Sequence, residues 1–346
     1  MNISKVPRWL RASIGLYLAA GLLAALGGCS NPQTPGFNGT INDANGIAVA
    51  AAGYYAGARI VPFAGLGNHA VTGVRVAPRG GAFNLADFAR TQIEALAAQK
   101  GQYPSSTLAG VVTAIPYECR TGSGTIQWDD KDGDGKFSSG DTFAFAFNDC
   151  AVRDIVGTLV YNNQMTMTQF SLAGDPQGNP SDGWDMSALF TFNKLSVTEG
   201  QATRVYSGDF SFSSSTPDGV RETLGVTGTS LTGAANNAQD VLKDFSLNEK
   251  DDRAAFTYSF SANATLDSAR YGELSIKSPS CKTGPCFSGT SPFDPSGGTM
   301  LITATDKSSV KMIVNSSTSI TVEIDANGDG TVDTTRDTAW SVLSGS

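Results

Sequence analysis

The sequence predicts a mainly β protein: an antiparallel β-meander forming one large curved, half-barrel-like sheet with one main helix packed on it, the alternative being a β-sandwich or barrel. Two observations predict this. From about residue 108 onward, segments such as "TFAFAFN", "SALFTFNKLSV" and "SITVEID" alternate apolar and polar residues, and clusters of Gly, Asn, Asp, Pro and Ser separate them. Ahead of them stands "NLADFARTQIEALAAQKG", where Leu85, Phe88, Ala89, Ile93, Leu96 and Ala97 recur at three and four, with Asn84 as N-cap and Gly101 as stop. Strands and helices do not alternate, which disfavours a parallel sheet with a nucleotide site at its switch point. A lone helix preceding many strands favours a sheet wrapped on that helix over a sandwich or barrel with the helix outside.

Residues 1–28 read as a targeting segment: Lys5, Arg8 and Arg11, an apolar run from Ile14 to Leu26, then "LGGC". The run is too short for a comfortable membrane span. Residues 29–40, rich in Pro, Gly, Asn and Thr, suit a flexible tether. Residues 41–107 form a helical and irregular segment; 41–60 are dominated by Ala and Gly around "GYY" and predict at most a loosely packed helix. The antiparallel domain is expected over 108–346. Without Lys5, Arg8 and Arg11, 21 Lys and Arg stand against 32 Asp and Glu, a formal charge of −11, so nucleic acid is excluded as a partner class.

Residues 130–141, "DKDGDGKFSSGD", carry the acid spacing of a calcium-binding EF-hand loop. Asp130, Asp132 and Asp134 occupy positions 1, 3 and 5, Gly135 the sharp turn, the Lys136 carbonyl position 7 and Asp141 position 12. The flanks "GSGTIQW" and "TFAFAFND" alternate like strands, so the loop is expected at the tip of a β-hairpin. Three acids at alternate positions repel each other without a cation. A second loop begins at Asp325, where Asp325, Asn327, Asp329, the Thr331 carbonyl and Asp333 fit positions 1, 3, 5, 7 and 9. Its position 12 is Arg336, a cation where an anion is wanted; Asp337 substitutes only if the loop is one residue longer. Calcium is the expected ion, in the weak range of extracellular modules.

Beyond Cys29 the four cysteines Cys119, Cys150, Cys281 and Cys286 allow three pairings. Opposing Cys119 to Cys150 in the hairpin places Trp128 against Asp141 and Ile126 against Phe143. Ile126, Trp128, Phe143 and Phe145 then share one face, with Phe147 continuing it, and the two cysteines lie together on the other. Directly opposed residues are close enough for a disulfide. Cys281 and Cys286 are expected to clip the tight turn "KTGP". The single histidine, His69, lies in a Gly-rich stretch, and no nucleophile elbow, phosphate loop or metalloprotease motif is present, so no catalytic residue is assigned.

The "LGGC" ending resembles the lipobox of bacterial lipoproteins. That resemblance implies that Cys29 becomes the lipidated first residue and, with Ser30 after it, that the chain is sorted to the outer membrane of a Gram-negative cell. The "C…DDKDGDGKFSSGD…C" block and "VEIDANGDGTVD…W" are similar to segments of uncharacterised proteobacterial lipoproteins, over about a quarter of the chain. The resemblance implies an exported, β-rich envelope protein. Three functions are therefore expected, in this order: a membrane-anchored, non-enzymatic binding or scaffolding module with an envelope-protein partner; a carrier of a lipid or other apolar ligand, its cavity lined by Phe143, Phe145 and Phe147; and an envelope hydrolase.

Overall fold

The computed structural model describes residues 39–58, 85–98, 112–135, 137–154, 157–174, 183–200, 202–235, 238–252, 254–279, 281, 286–289 and 295–344. Cys29, His69, Lys136 and the tether up to residue 38 lie outside them.

Fifteen strands form one antiparallel sheet in chain order. They run β1 Val112–Tyr117, β2 Thr121–Asp129, β3 Thr142–Asp154, β4 Gly157–Ala173, β5 Trp184–Glu199, β6 Ala202–Thr216, β7 Arg221–Ala235, β8 Ala238–Asp252, β9 Thr257–Ser268, β10 Gly272–Lys277, β11 Phe287–Gly289, β12 Gly298–Ala304, β13 Ser309–Ser316, β14 Ser319–Asp325 and β15 Thr334–Ala339. Only β11 leaves the sequential path, pairing with β9. The sheet is open, with β1 at one end and β15 at the other. Alternation delivers every second side chain to one face, as in β5, where Met186, Ala188, Phe190 and Phe192 are buried.

The curvature has a local cause that the alternating pattern does not announce. Register slips interrupt β3 after Phe147, β4 after Asn162 and again after Thr168, β5 after Phe192, β6 after Asp209 and β8 after Lys243. Asp149, Asn163, Gln169, Lys194 and Asp244, all at such slips, have positive φ. Each is a bulge, which adds a residue to one strand, bends it and increases its twist. Slips of this kind lie in every pairing from β3–β4 to β6–β7 and again in β8–β9, so they form a crease across that part of the sheet. Side chains lock it: Asn162 Oδ1 accepts the Asp149 amide at 2.7 Å, and Asn163 Nδ2 donates to the Lys194 carbonyl at 2.9 Å.

Two helices lie on the buried face, α1 Gly46–Ala58 and α2 Leu85–Ala98, and a short α3, Trp340–Ser344, follows β15. α2 sits as its periodicity predicts, with Phe88 edge-on to Tyr161 and to Phe192 at 5.7 and 5.6 Å. The Ala/Gly-rich α1 is tightly packed, contrary to the loose helix expected. Val49, Ala50, Ala52 and Ala56 are fully buried, and α1 packs against β8, β9, β10, β12, β13 and β14, with Tyr54 reaching Phe287 of β11. A Cβ on Gly46 would fall 2.4 Å from Ile324, and one on Gly53 2.4 Å from Ile302. Absence of side chains is therefore what lets the helix approach the sheet. Tyr54 packs edge-on against Trp340 and Phe287, and Phe287 stacks on Phe260 at 4.6 Å. The entry to α1 is fixed too, since the Ile41 amide donates to Ser308 Oγ at 2.7 Å.

Both disulfides have the expected partners, Cys119–Cys150 and Cys281–Cys286. The register around the first differs. Ile126 opposes Phe145 and Trp128 opposes Phe143, a slide of two residues that keeps the same side chains on the buried face. Cys119 sits in the β1–β2 turn and reaches Cys150 at a Cα separation of 5.1 Å. The bulge at Asn148–Asp149 reverses the alternation after Phe147, so Cys150 points into the core and is fully buried. The cysteines are thus not on the face opposite the aromatics.

Candidate metal centre

The first acidic loop caps the β2–β3 hairpin, as its flanks predict. Asp130 is almost fully buried, and its two carboxylate oxygens accept the amides of Gly133 at 2.7 Å and Gly135 at 2.8 Å. Both glycines have positive φ, the conformation that lets the backbone fold back over the carboxylate. Asp132 accepts the Asp134 amide at 3.1 Å and the Ser138 hydroxyl at 3.0 Å. Those bonds favour the ionised form and hold the Asp132 carboxyl below the ordinary range. The result brings one carboxylate oxygen each from Asp130, Asp132 and Asp134 within 4.8 Å of one another, a group that could hold a metal ion.

Asp141 is placed differently. Its Oδ1 accepts the Lys131 amide at 3.1 Å, and its Oδ2 accepts the Ser138 amide at 3.0 Å and the Trp128 indole N–H at 2.9 Å. It staples the loop shut over the aromatic core, where Trp128 packs edge-on to Phe137 at 4.8 Å. Burial pushes its carboxyl above the ordinary value, more than these three donors pull it down. A cation beside it would relieve that penalty. The sequence pairing set Trp128 against Asp141; the two do meet, through their side chains, although Trp128 is the register partner of Phe143.

The second loop repeats the arrangement between β14 and β15. Asp325 accepts the amides of Gly328 at 2.7 Å and Gly330 at 2.8 Å, and Asn327 Oδ1 accepts the Asp329 amide at 2.9 Å. Asp329 accepts the Thr331 amide at 2.7 Å, which holds its carboxyl below the ordinary range. Asp333 takes the part that Asp141 plays in the first loop: its Oδ2 accepts the amide of Ala326, the residue after the leading aspartate, at 2.8 Å. Arg336, at position 12, is a β15 residue paired with Asp43. Asp337 accepts the Thr321 hydroxyl at 2.6 Å across β14–β15 and does not reach into the loop.

Sequence reasoning missed a buried ion pair elsewhere. Glu222 of β7 accepts from Arg90 of α2 and from Ser214 of β6, each at 2.5 Å. The available signal was parity: in "RETLGV", Glu222 falls on the inward side with Leu224 and Val226. The pair ties α2 to the sheet. No family model matches the chain, and neither a curated protein nor a solved structure matches it.

Proposed function

We propose that the chain is an envelope lipoprotein, anchored in the outer membrane through lipidated Cys29, whose sheet is a non-enzymatic binding or scaffolding module with calcium as a structural ion in the 130–141 loop. The observation that carries the ion is the convergence of Asp130, Asp132 and Asp134 at the tip of a hairpin closed at its other end by a disulfide. Hard oxygen donors on a loop of this spacing suit calcium better than a transition metal. The second loop has the same backbone frame with one carboxylate fewer, Asn327 standing where Asp132 stands, and is the weaker site. The aromatic rings support a dry core at the place where a carrier would need its cavity: Phe143 packs edge-on to Phe137 and Phe170 at 5.5 and 5.3 Å, and Phe147 to Tyr117 at 5.1 Å. Among the described residues no helix is long and apolar enough to cross a membrane.

Two measurements test this reading. Cells fed labelled palmitate should incorporate it into the wild-type chain and not into Cys29→Ser; label in both, or in neither, removes the anchor. Calorimetric titration should give saturable calcium binding with Kd of about 10⁻⁴ to 10⁻³ M, with the contribution of the 130–141 loop lost in Asp132→Asn/Asp134→Asn and any weaker binding at 325–333 kept. No heat at millimolar calcium removes the ion.

A further inference from the structure

On the face of the sheet turned away from the helices, the ends of β7, β8, β9 and β11 enclose a trough of about 640 Å³. Side chains from neighbouring strands meet there in one cross-strand row: Asp185, Ser215, Thr223, Lys250, Ser259 and Ser288 are successive register partners from β5 to β11. A second hollow of about 370 Å³ shares Thr223 and carries the trough on over β6, β5 and the end of β4, past Ser213, Ser187 and Ser171. Neighbouring strands lie about 4.8 Å apart, so the two hollows together cross the sheet for on the order of 25 Å.

The lining selects a chemical class. Its side chains are mostly polar, with Tyr258 the one aromatic ring and Met186 and Leu224 buried under the second hollow, so a lipid or an apolar peptide anchor finds little to contact. Its cations, Arg221 and Lys250, stand among the carboxylates Glu222, Asp251 and Asp252, and Arg221 is paired with Asp252 at 3.1 Å, so the lining lacks the excess positive charge an anion site requires. What remains is a set of hydroxyls with donors and acceptors of both signs. At one end stands Phe256, in the β8–β9 turn next to Thr257, itself a lining residue. Its φ is +50° and it is 78 % exposed. A large apolar side chain held in left-handed backbone and in water contributes nothing to the core, and strain retained in that way is the mark of a residue kept for contact. An aromatic face beside a hydroxyl-lined trough matches a sugar, whose rings offer a C–H face to stack and hydroxyls to bond.

We propose that this trough binds a linear, neutral oligosaccharide, laid across the strands with one ring stacked on Phe256. Neither acidic loop nor Cys29 contributes to it, so the site stands whether or not those hold an ion or a lipid.

The test is calorimetry and saturation-transfer NMR of the purified protein with cellohexaose, maltohexaose and chitohexaose, and with glucose and N-acetylglucosamine as single units. At least one hexasaccharide should bind saturably and at least about tenfold more tightly than its monomer. Thr223→Arg, which fills the shared middle of both hollows from an exposed position, should abolish binding. Phe256→Gly should weaken it roughly twofold to tenfold, the range of a stacked aromatic, while the melting temperature holds or rises because glycine relieves the positive φ. The proposal is overturned if no hexasaccharide binds up to ~10 mM, if Thr223→Arg binds as the wild type does while melting with it, or if Phe256→Gly leaves affinity unchanged.

Discussion

The two acidic loops share a beginning and differ in their ending. In both, the leading aspartate accepts the amides two glycines of the turn present, three and five residues on, and the residue at position 3 accepts the amide two residues further on. That part is local: it follows from D-x-[DN]-G-D-G and the left-handed glycines, and needs nothing from the rest of the fold. The closing carboxylate is not local. In the first loop it is Asp141, fully buried beneath the Trp128 indole; in the second it is Asp333, exposed, with its own amide bonded to the Ile324 carbonyl at 2.8 Å. A motif of this kind thus fixes the turn and leaves the closing carboxylate to the length and register of the hairpin that carries it.

The comparison can be broken most forcefully at the base of the first hairpin. Replacing Cys119 and Cys150 by serine should lower unfolding free energy by about 3–4 kcal/mol, the chain-entropy value for a loop of this size, as read by denaturant titration. Binding at 325–333 should be untouched, and an equal loss there would show that the loops are not independent. Next come the leading aspartates. Asp130→Ala, which strands two amides beneath a nearly closed loop, should cost roughly 2–3 kcal/mol in chelator, and Asp325→Ala, at a more accessible site, roughly 1–2 kcal/mol; equal losses would refute the part given to burial.

A smaller effect separates a buried carboxylate that a cation can serve from one that none serves. Asp240 on β8 is buried, and that burial raises its carboxyl above the ordinary value, against the pull of the Ser268 hydroxyl and Ala269 amide. Its folded form therefore favours the proton, so its contribution to stability is full in acid and lost as pH rises through the folded-state value. Asp240→Asn should flatten the fall in melting temperature as pH rises above the ordinary carboxylate range, and calcium should not alter that flattening. Smallest of all, Arg336→Ala should leave both melting temperature and cation binding at 325–333 close to wild type, because its partner is the exposed Asp43; tighter binding would return Arg336 to the loop.

Much of the fold was legible because period-two alternation is written residue by residue, and the apolar face of the first hairpin stayed correct even with its register slid by two. Where legibility ended, the cause was bulges. Asn148–Asp149, Asn163, Gln169 and Lys194 read as polar interruptions within strands, yet they set the curvature and turn Cys150 inward. α1 was under-read for the opposite reason: Gly46 and Gly53 look like weak helix formers, and only the neighbouring Ile324 and Ile302 reveal that their smallness is the contact. The grouping of Asp130, Asp132 and Asp134 was legible from spacing. So was the meeting of Trp128 and Asp141, though side chains make it in the slid register; the part taken by Asp333 was not, since it depends on where the hairpin places its far strand.

The central claim, that the first loop is a preorganised cation site whose closing staple is Asp141, is tested most directly by following the Trp128 indole N–H resonance during calcium titration. The account predicts a saturable shift of that one indole signal with Kd of about 10⁻⁴ to 10⁻³ M, absent in Asp132→Asn/Asp134→Asn, with the fold unchanged. A Trp128 signal that stays still up to ~10 mM calcium, or that moves equally in the double variant, would contradict it.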